Sequence, residues 1–228
     1  VSSGGKTINK GSGNLIHSVV PVHIFGHPVK LDEILSICSE FNILLIEDAA
    51  ESLGSYFKTQ HTGTFGVAGI ISFNGNKTIT TGGGGMVLTN SEEIATKARH
   101  LVTTAKLPHA WEYIHDAVGY NFRLPNLNAA LGVAQMRNLA AIVELQRLLF
   151  DKYALEIRDI PGVSLISEPK DSKSNYWLQA ILLDPGTRGL RDKILESFQA
   201  DGLKVRPAWR PLHLLEPYAK FQSCLLYT

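Results

Sequence analysis

One lysine in this chain stands where a solvated lysine does not belong. Lys77 follows an apolar run, Ala68 to Phe73, and precedes four consecutive glycines, Gly82 to Gly85. Glycine runs let backbone approach a ligand closely or adopt positive φ. Three chemistries compete for such a lysine. A phosphate-binding P-loop needs Gly-Lys-[Ser/Thr] with its glycines ahead of the lysine, but Asn76 separates Gly75 from Lys77 and the glycines follow. Asn76-Lys77-Thr78 fits a glycosylation acceptor, yet the opening Val1-Ser-Ser-Gly-Gly shows no signal-peptide pattern. The third chemistry is a Schiff base, formed with a carbonyl substrate or with pyridoxal phosphate. A structural glycine loop with an incidental lysine is the plain alternative.

A second candidate is acidic. Glu47-Asp48-Ala-Ala-Glu51-Ser-Leu-Gly54 follows the apolar Ile43–Ile46. In open α/β sheets ligands bind just beyond the carboxyl ends of strands, so Asp48 is where a working carboxylate is expected. The competing role is a helix N-cap, with Ala49-Ala50-Glu51 beginning a short helix that Gly54 ends.

The elements that must position these residues read as follows. Residues 1–15 are rich in Gly, Ser and Asn and predict loop. Ser18–Phe25 predicts a short strand, with Pro21 at an edge. Leu31, Ile34, Leu35, Cys38 and Phe41 recur at helical spacing over 31–41. Ile43–Ile46 predicts a strand buried on both faces, completing a βαβ unit. Strands follow near 68–73 and 86–89, and Ser91 caps a helix to about 106. The stretch 107–125, dense in His, Trp, Tyr, Asp, Asn and Arg, predicts a functional or interface loop. Asn126 then caps one long helix whose stripe, Leu127 through Leu145, suits a bridge between lobes. After Pro161-Gly162, the spacing predicts strands at 163–166 and 176–183, a helix over 189–200 and a strand at 203–205, a small α+β unit. Arg206-Pro-Ala-Trp-Arg-Pro-Leu-His213 is too proline-rich for regular structure, and its arginines and His213 could face an anion.

Composition narrows the classes. The 44% hydrophobic and 19% charged content is that of a globular protein, and a net charge of +1 leaves no electrostatic footprint for nucleic acid. No apolar run approaches the roughly 18 residues needed to span a bilayer. The two cysteines, Cys38 and Cys224, have no metal-type spacing and read as reduced cytosolic thiols, with Cys38 in the core. His23 and His27 are four apart, but Gly26 and Pro28 oppose a helix there, so no metal site is expected.

Together the parts suit one cofactor chemistry. An aldehyde cofactor needs a lysine to hold it and later carry the proton, which fits Lys77. A pyridine nitrogen needs an anion, which fits Asp48. A phosphate needs hydroxyl and backbone N–H donors, which Ser72 and the glycine-rich backbone supply. Glu47-Asp48-Ala-Ala-Glu51-Ser-Leu-Gly54, Ser72-Phe-Asn-Gly-Asn-Lys77 with Thr80-Thr-Gly-Gly-Gly-Gly85, and Gly119-Tyr-Asn-Phe-Arg-Leu124 resemble the nucleotide-sugar aminotransferases of the DegT/DnrJ/StrS family.

That resemblance, running from about Val19 to His213, implies the α/β large domain of a fold type I pyridoxal phosphate enzyme over 1–145, incomplete, followed by a small α+β C-terminal domain over 146–228. It implies that Lys77 carries the cofactor, Asp48 pairs with the pyridine nitrogen and Ser72 binds phosphate. Glu51 stands where the family more often has glutamine, near the ring. Asn121 looks like the asparagine that reaches the phosphate of the neighbouring subunit, implying a homodimer with shared sites. Arg123 and His213 lie in segments near the substrate. Asn74 replaces a common family histidine and Gly83 a common glutamate. These departures resemble the subgroup acting on UDP-linked 4-keto-6-deoxy-N-acetylhexosamines, with glutamate as amino donor, in the cytoplasm. The dehydratases of the family have histidine in place of the lysine, so Lys77 points away from them. The resemblance also implies a missing N-terminal region, which carries the aromatic residue that stacks on the ring, and an incomplete C-terminus. The parent is then expected to be the aminotransferase, and the isolated stretch to bind cofactor poorly. The rival is a non-catalytic binding fragment acting in an oligomer.

Overall fold

The computed structural model describes residues 2, 3 and 5–223; Cys224 lies outside them. In chain order the strands are β1 (Ser2–Ser3), β2 (Lys6–Ile8), β3 (Leu15–Ile16), β4 (Ser18–Val19), β5 (Leu44–Asp48), β6 (Tyr56–Phe57), β7 (Gln60–His61), β8 (Ala68–Ser72), β9 (Gly85–Leu88), β10 (Val163–Leu165), β11 (Ser172–Lys173) and β12 (Ile181–Leu183). The helices are α1 (Leu31–Phe41), α2 (Glu92–Val102), α3 (Asn126–Met136), α4 (Leu139–Ile157) and α5 (Arg191–Ala200). Two compact units result, Val1–Ile160 with Leu165–Leu182, and Pro161–Ser164 with Leu183–Thr228. Residue 145 falls within α4.

The first unit is built on a four-stranded sheet of order β4-β5-β8-β9. β4, β5 and β8 run parallel, and β9 returns antiparallel to β8. Between β4 and β5 the chain crosses over through α1, whose bounds match the helical spacing of its apolar residues. Asn42 ends α1 in the left-handed conformation, φ 49°, and its N–H reaches back to Cys38 and Ser39 carbonyls. Leu31, Cys38, Leu45 and Phe57 then form one buried cluster between helix and sheet. A second cluster, Ala49, Ile71, Phe73 and Ile79, packs with Leu139 and Ile142 of α4. Cys38 is a buried free thiol within the first cluster.

Only one face of β5 and β8 is covered. Side chains alternate across a strand, so Leu45, Glu47 and Ile71 are buried while Leu44 is 52% and Ile70 39% exposed. The both-faces burial expected of Ile43–Ile46 is therefore not observed, because α1 packs on one side.

Other corrections concern short elements. Within the stretch expected as loop, 1–15, Ser2–Ser3, Lys6–Ile8 and Leu15 are strand, in the antiparallel sheet β1-β2-β3. Asn9 closes its turn, its Oδ1 accepting from Gly11 and Ser12 N–H groups at 2.9 and 3.2 Å. Strands of two or three residues show no period, so composition reported only the turn. Ser18–Phe25 is strand only at Ser18–Val19, and Ile24–Gly26 forms a one-turn 3-10 helix. The helix capped by Ser91, whose Oγ accepts from Ile94 N–H at 3.3 Å, ends at Val102. Thr104 and Ala105 follow with φ of 68° and 52°, which stops a right-handed helix. The one long helix from 126 is two, α3 and α4, broken at Arg137–Asn138, and Asn126 lies inside α3 with Pro125 at its N-cap. Most of the expected stripe lies at the surface, with Leu127 83% and Leu145 66% exposed. Strand structure within 176–183 is limited to β12, and 203–205 forms no strand.

Among the described residues no helix is long and apolar enough to cross a membrane.

Candidate active site

Strand register brings Asp48 and Ser72 together. β5 and β8 are parallel neighbours with Asp48 opposite Ile70, so Asp48 ends β5 and Ser72 ends β8 at the same edge of the sheet. Asp48 is half-buried, and its Oδ1 accepts the Ala50 N–H at 3.1 Å. The carboxylate thus caps the turn after β5, and Ala49–Glu51 forms that turn and not the short helix of the competing N-cap role. Ser72 Oγ accepts the Asn74 N–H at 3.3 Å.

Lys77 sits in the turn beyond β8, its N–H donating to the Asn74 carbonyl at 3.0 Å. Its Nζ lies 3.4 Å from Glu51 Oε1, and both side chains are only 14% exposed. Glu51 Oε2 accepts the Phe25 N–H at 2.8 Å, so this carboxylate joins the turn after β5, the Phe25 backbone and the lysine. The Lys77 ammonium also lies 4.0 Å above the Trp177 ring, in the geometry of a cation–π contact.

The glycine run is anchored by α3. Thr80 N–H donates to Gln135 Oε1 at 2.9 Å, and Asn128 Nδ2 donates to the Thr81 carbonyl. Gly84 adopts φ +92°, and a Cβ there would sit 2.7 Å from Leu124, so only glycine fits this approach. Around Gly75 and Gly83, by contrast, a Cβ would meet nothing within 4 Å.

The structure therefore brings Asp48, Glu51, Ser72 and Lys77 to one edge of the sheet. Asn121 and Arg123 are exposed on the segment leading to α3, with Asn121 in an isolated bridge to Thr103. His213 belongs to the second unit, half-buried in a one-turn 3-10 helix, Leu212–Leu214.

Glu47, paired with Asp48 in the sequence, does something different. It points to the opposite face, fully buried, where Oε2 accepts the Gly63 N–H and Oε1 accepts those of Phe65 and Gly66 at 2.7, 2.6 and 2.9 Å. His23 Nδ1 accepts the Val29 N–H at 3.2 Å, which leaves Nε2 to donate to Glu47 Oε2 at 3.1 Å. Burial pushes the Glu47 carboxyl up, but the His23 hydrogen bond and the three backbone donors outweigh it and hold the group below the ordinary carboxylate range. His23 is thus engaged at both ring nitrogens rather than paired with His27. Among the described residues, no cluster of three His, Cys, Asp or Glu side chains is placed to hold a metal.

His27 is buried with neither ring nitrogen hydrogen-bonded, and its ring meets the edge of Tyr176 at 5.2 Å. Burial lowers its affinity for a proton, opposed in part by the Glu168 charge; burial likewise lowers that of His61. A group whose folded pKa is depressed contributes stability that is present above its unfolded pKa and lost as pH falls. The melting temperature is expected to decline from about pH 7.5 to about pH 5, the range of histidine titration. His27→Phe, which keeps the ring and removes the titration, should decline less steeply; an identical slope would assign the effect elsewhere.

The residues missed from the sequence come from far along the chain. Asn175, fully buried, sends Nδ2 to the Glu51 and Leu53 carbonyls at 2.9 Å each and to Thr78 Oγ1 at 3.2 Å. Nothing in its local sequence separates it from an ordinary polar residue. β11 delivers it by pairing antiparallel with β6. Gly26, at φ +89°, makes room, since a Cβ there would lie 1.8 Å from Asn175 Oδ1.

Known proteins are similar to this chain in sequence and in fold. GDP-perosamine synthase of Escherichia coli O157:H7 is 34% identical over 211 residues, covering 92% of this chain and 57% of that protein. EpsN of Bacillus subtilis (strain 168) is 41% identical over 204 residues, covering 90% of this chain and 52% of that protein. Among solved structures, Helicobacter pylori PseC, an aminotransferase involved in the biosynthesis of pseudoaminic acid, superposes with a TM-score of 0.87 at 25% identity. That match covers 92% of this chain and 57% of PseC. DesI, solved in the presence of its TDP-sugar product, gives 0.82 at 26% identity over 95% of this chain and 58% of that one. The chain spans about half the length of the curated relatives it matches. The fold is the α/β fold of pyridoxal phosphate-dependent aminotransferases, and with residues 6–224 matching its family model, the chain belongs to the DegT/DnrJ/EryC1/StrS aminotransferase family.

Proposed function

We propose that the protein is a pyridoxal phosphate-dependent aminotransferase that places an amino group on the C4 ketone of a nucleotide-linked 4-keto-6-deoxy sugar. The observation that carries this reading is Lys77: a nearly buried amine held by an anion and an aromatic face, beside the parallel strand ends that carry Asp48 and Ser72.

The residues present fit the cofactor. Open space at Gly75 and Gly83 leaves backbone without side chains beside the lysine turn. The donor set is a hydroxyl and amides, which suits a phosphate, and a carboxylate stands at a strand end. Lys77 would hold pyridoxal phosphate through Nζ, Asp48 would face its ring nitrogen, Ser72 its phosphate and Glu51 the ring. Once bound, the cofactor supplies an electron-withdrawing ring conjugated to the amino group being moved. Lys77 Nζ would take the proton from, or return it to, the carbon of whichever substrate is bound, at a position set by Glu51. Asp48 keeps a proton on the ring nitrogen by its negative charge. Asn121 would serve the phosphate of a partner subunit in a homodimer with shared sites, and Arg123 and His213 would face substrate.

GDP-perosamine synthases and a UDP-4-amino-4,6-dideoxy-N-acetyl-beta-L-altrosamine transaminase among the relatives support a nucleotide-sugar substrate. Within that class we favour a UDP-linked N-acetylhexosamine with glutamate as donor, for amino sugars of a surface glycan. A cytoplasmic location accords with the free thiol of Cys38. The test is consumption of glutamate with a UDP-linked 4-keto-6-deoxy-N-acetylhexosamine, followed as 2-oxoglutarate release. Release that depends on the keto sugar is expected. Binding of the nucleotide sugar without release would favour a non-catalytic fragment acting in an oligomer.

A further inference from the structure

We propose that Trp177 is a positioning residue for Lys77, its indole face holding the amine in place while Asn175 fixes the indole. This rests on reading Lys77 as the reactive amine.

The contacts surround the lysine on three sides. Trp177, 8% exposed, lies with its ring centroid 4.0 Å from Lys77 Nζ. Its Nε1–H donates to the Asn76 carbonyl at 2.7 Å, one residue before the lysine. Asn175 Nδ2 reaches Thr78 Oγ1 at 3.2 Å, one residue after it, and the Glu51 carbonyl at 2.9 Å. Asn175 Oδ1 in turn accepts the Trp177 N–H at 2.9 Å, closing an Asx turn that fixes where the indole points. A single short segment thereby grips both flanks of Lys77, its amine and the backbone of its counter-ion.

The backbone of that segment is strained for the purpose. Tyr176, between the two, adopts φ +47°, a conformation costly for a bulky side chain. Its surroundings enforce it: the ring stacks on Phe150 at 4.2 Å, and its hydroxyl accepts the Glu168 N–H at 3.1 Å. Reversal at Tyr176 sends its own ring toward α4 while Trp177 faces the lysine turn. A ring face also suits the task chemically. It attracts the ammonium but has no lone pair to take its proton, so it holds the amine without acting as a competing base. Glu51 alone, at 3.4 Å, makes a long contact that leaves a flexible side chain several rotamers.

The test is competitive acetylation of the full 228-residue chain with acetic anhydride, no cofactor added, reading Lys77 against the exposed Lys30 by peptide mass spectrometry. Trp177→Leu is expected to raise relative labelling of Lys77 about tenfold, and Trp177→Phe, which keeps an aromatic face, by no more than about threefold. Unchanged labelling in Trp177→Leu would overturn the proposal, as would equal rises in both variants, since packing alone would explain them. Should Trp177→Leu fail to fold by thermal unfolding, Trp177→Phe decides: a tenfold rise contradicts the role of the face, and near wild-type labelling supports it. Because the labelling uses no pyridoxal phosphate, it stays separate from the aminotransferase reading. Failure of both the wild-type chain and one extended at its N-terminus to capture the cofactor would remove that reading and leave the positional result standing.

Discussion

Replacing Lys77 by alanine is expected to abolish amino transfer, with turnover at least about 10³-fold below wild type. The loss should be chemical. The contacts of Nζ, at 3.4 Å to Glu51 and 4.0 Å to the Trp177 ring, involve the tip of the side chain, while the turn is held by the backbone bond from Lys77 N–H to Asn74. Circular dichroism and the melting temperature should therefore change little. Lys77→Arg sharpens the point, because arginine keeps the charge for Glu51 and for the indole yet remains protonated and cannot form the covalent link. Both variants should be equally inactive. Arginine activity within tenfold of wild type would mean that the lysine acts only as a charge, and the assignment would fall.

The second large effect is on stability. Glu47→Ala is expected to cost about 4–5 kcal/mol, a large part of the 5–15 kcal/mol typical of a domain. The carboxylate is fully buried and accepts three backbone N–H groups as well as the His23 ring. Alanine would leave all four donors in a dry site without acceptors, each at a cost of about 1–3 kcal/mol before relaxation. Glu47→Gln keeps one accepting oxygen and should lose roughly half as much. Urea unfolding followed by circular dichroism measures both; an alanine variant within about 1 kcal/mol of wild type would show that the loop at 63–66 is held by other means.

What the sequence made legible follows from where its signals are local. The helix at 31–41 and the strands ending at Asp48 and Ser72 show themselves through apolar spacing, and strand ends in an α/β sheet point to the site. The crossover through α1 implied parallel β4 and β5, whereas the pairing of β5 with β8 that sets Asp48 and Ser72 side by side joins strands linked through β6 and β7 and was not read from the sequence. Local reading could not separate Glu47 from Asp48, since adjacent acids look alike until a sheet sends them to opposite faces. Nor could it find Asn175 and Trp177, which reach Leu53 and Asn76 across 122 and 101 positions. β6, β7 and β11, each two residues long, have no period to detect, yet they deliver that segment to the lysine. The break between α3 and α4 was missed for a related reason. It occurs at Arg137–Asn138 with neither proline nor glycine to mark it.

The most direct test of the account is a borohydride trap. The purified chain is incubated with pyridoxal phosphate and reduced, and the adduct is mapped by peptide mass spectrometry. The account predicts a pyridoxyl group on Lys77, absent from Lys77→Ala. Absence of an adduct at Lys77 both from this chain and from one extended at its N-terminus, or the same adduct spread over exposed lysines in wild type and variant alike, would contradict it.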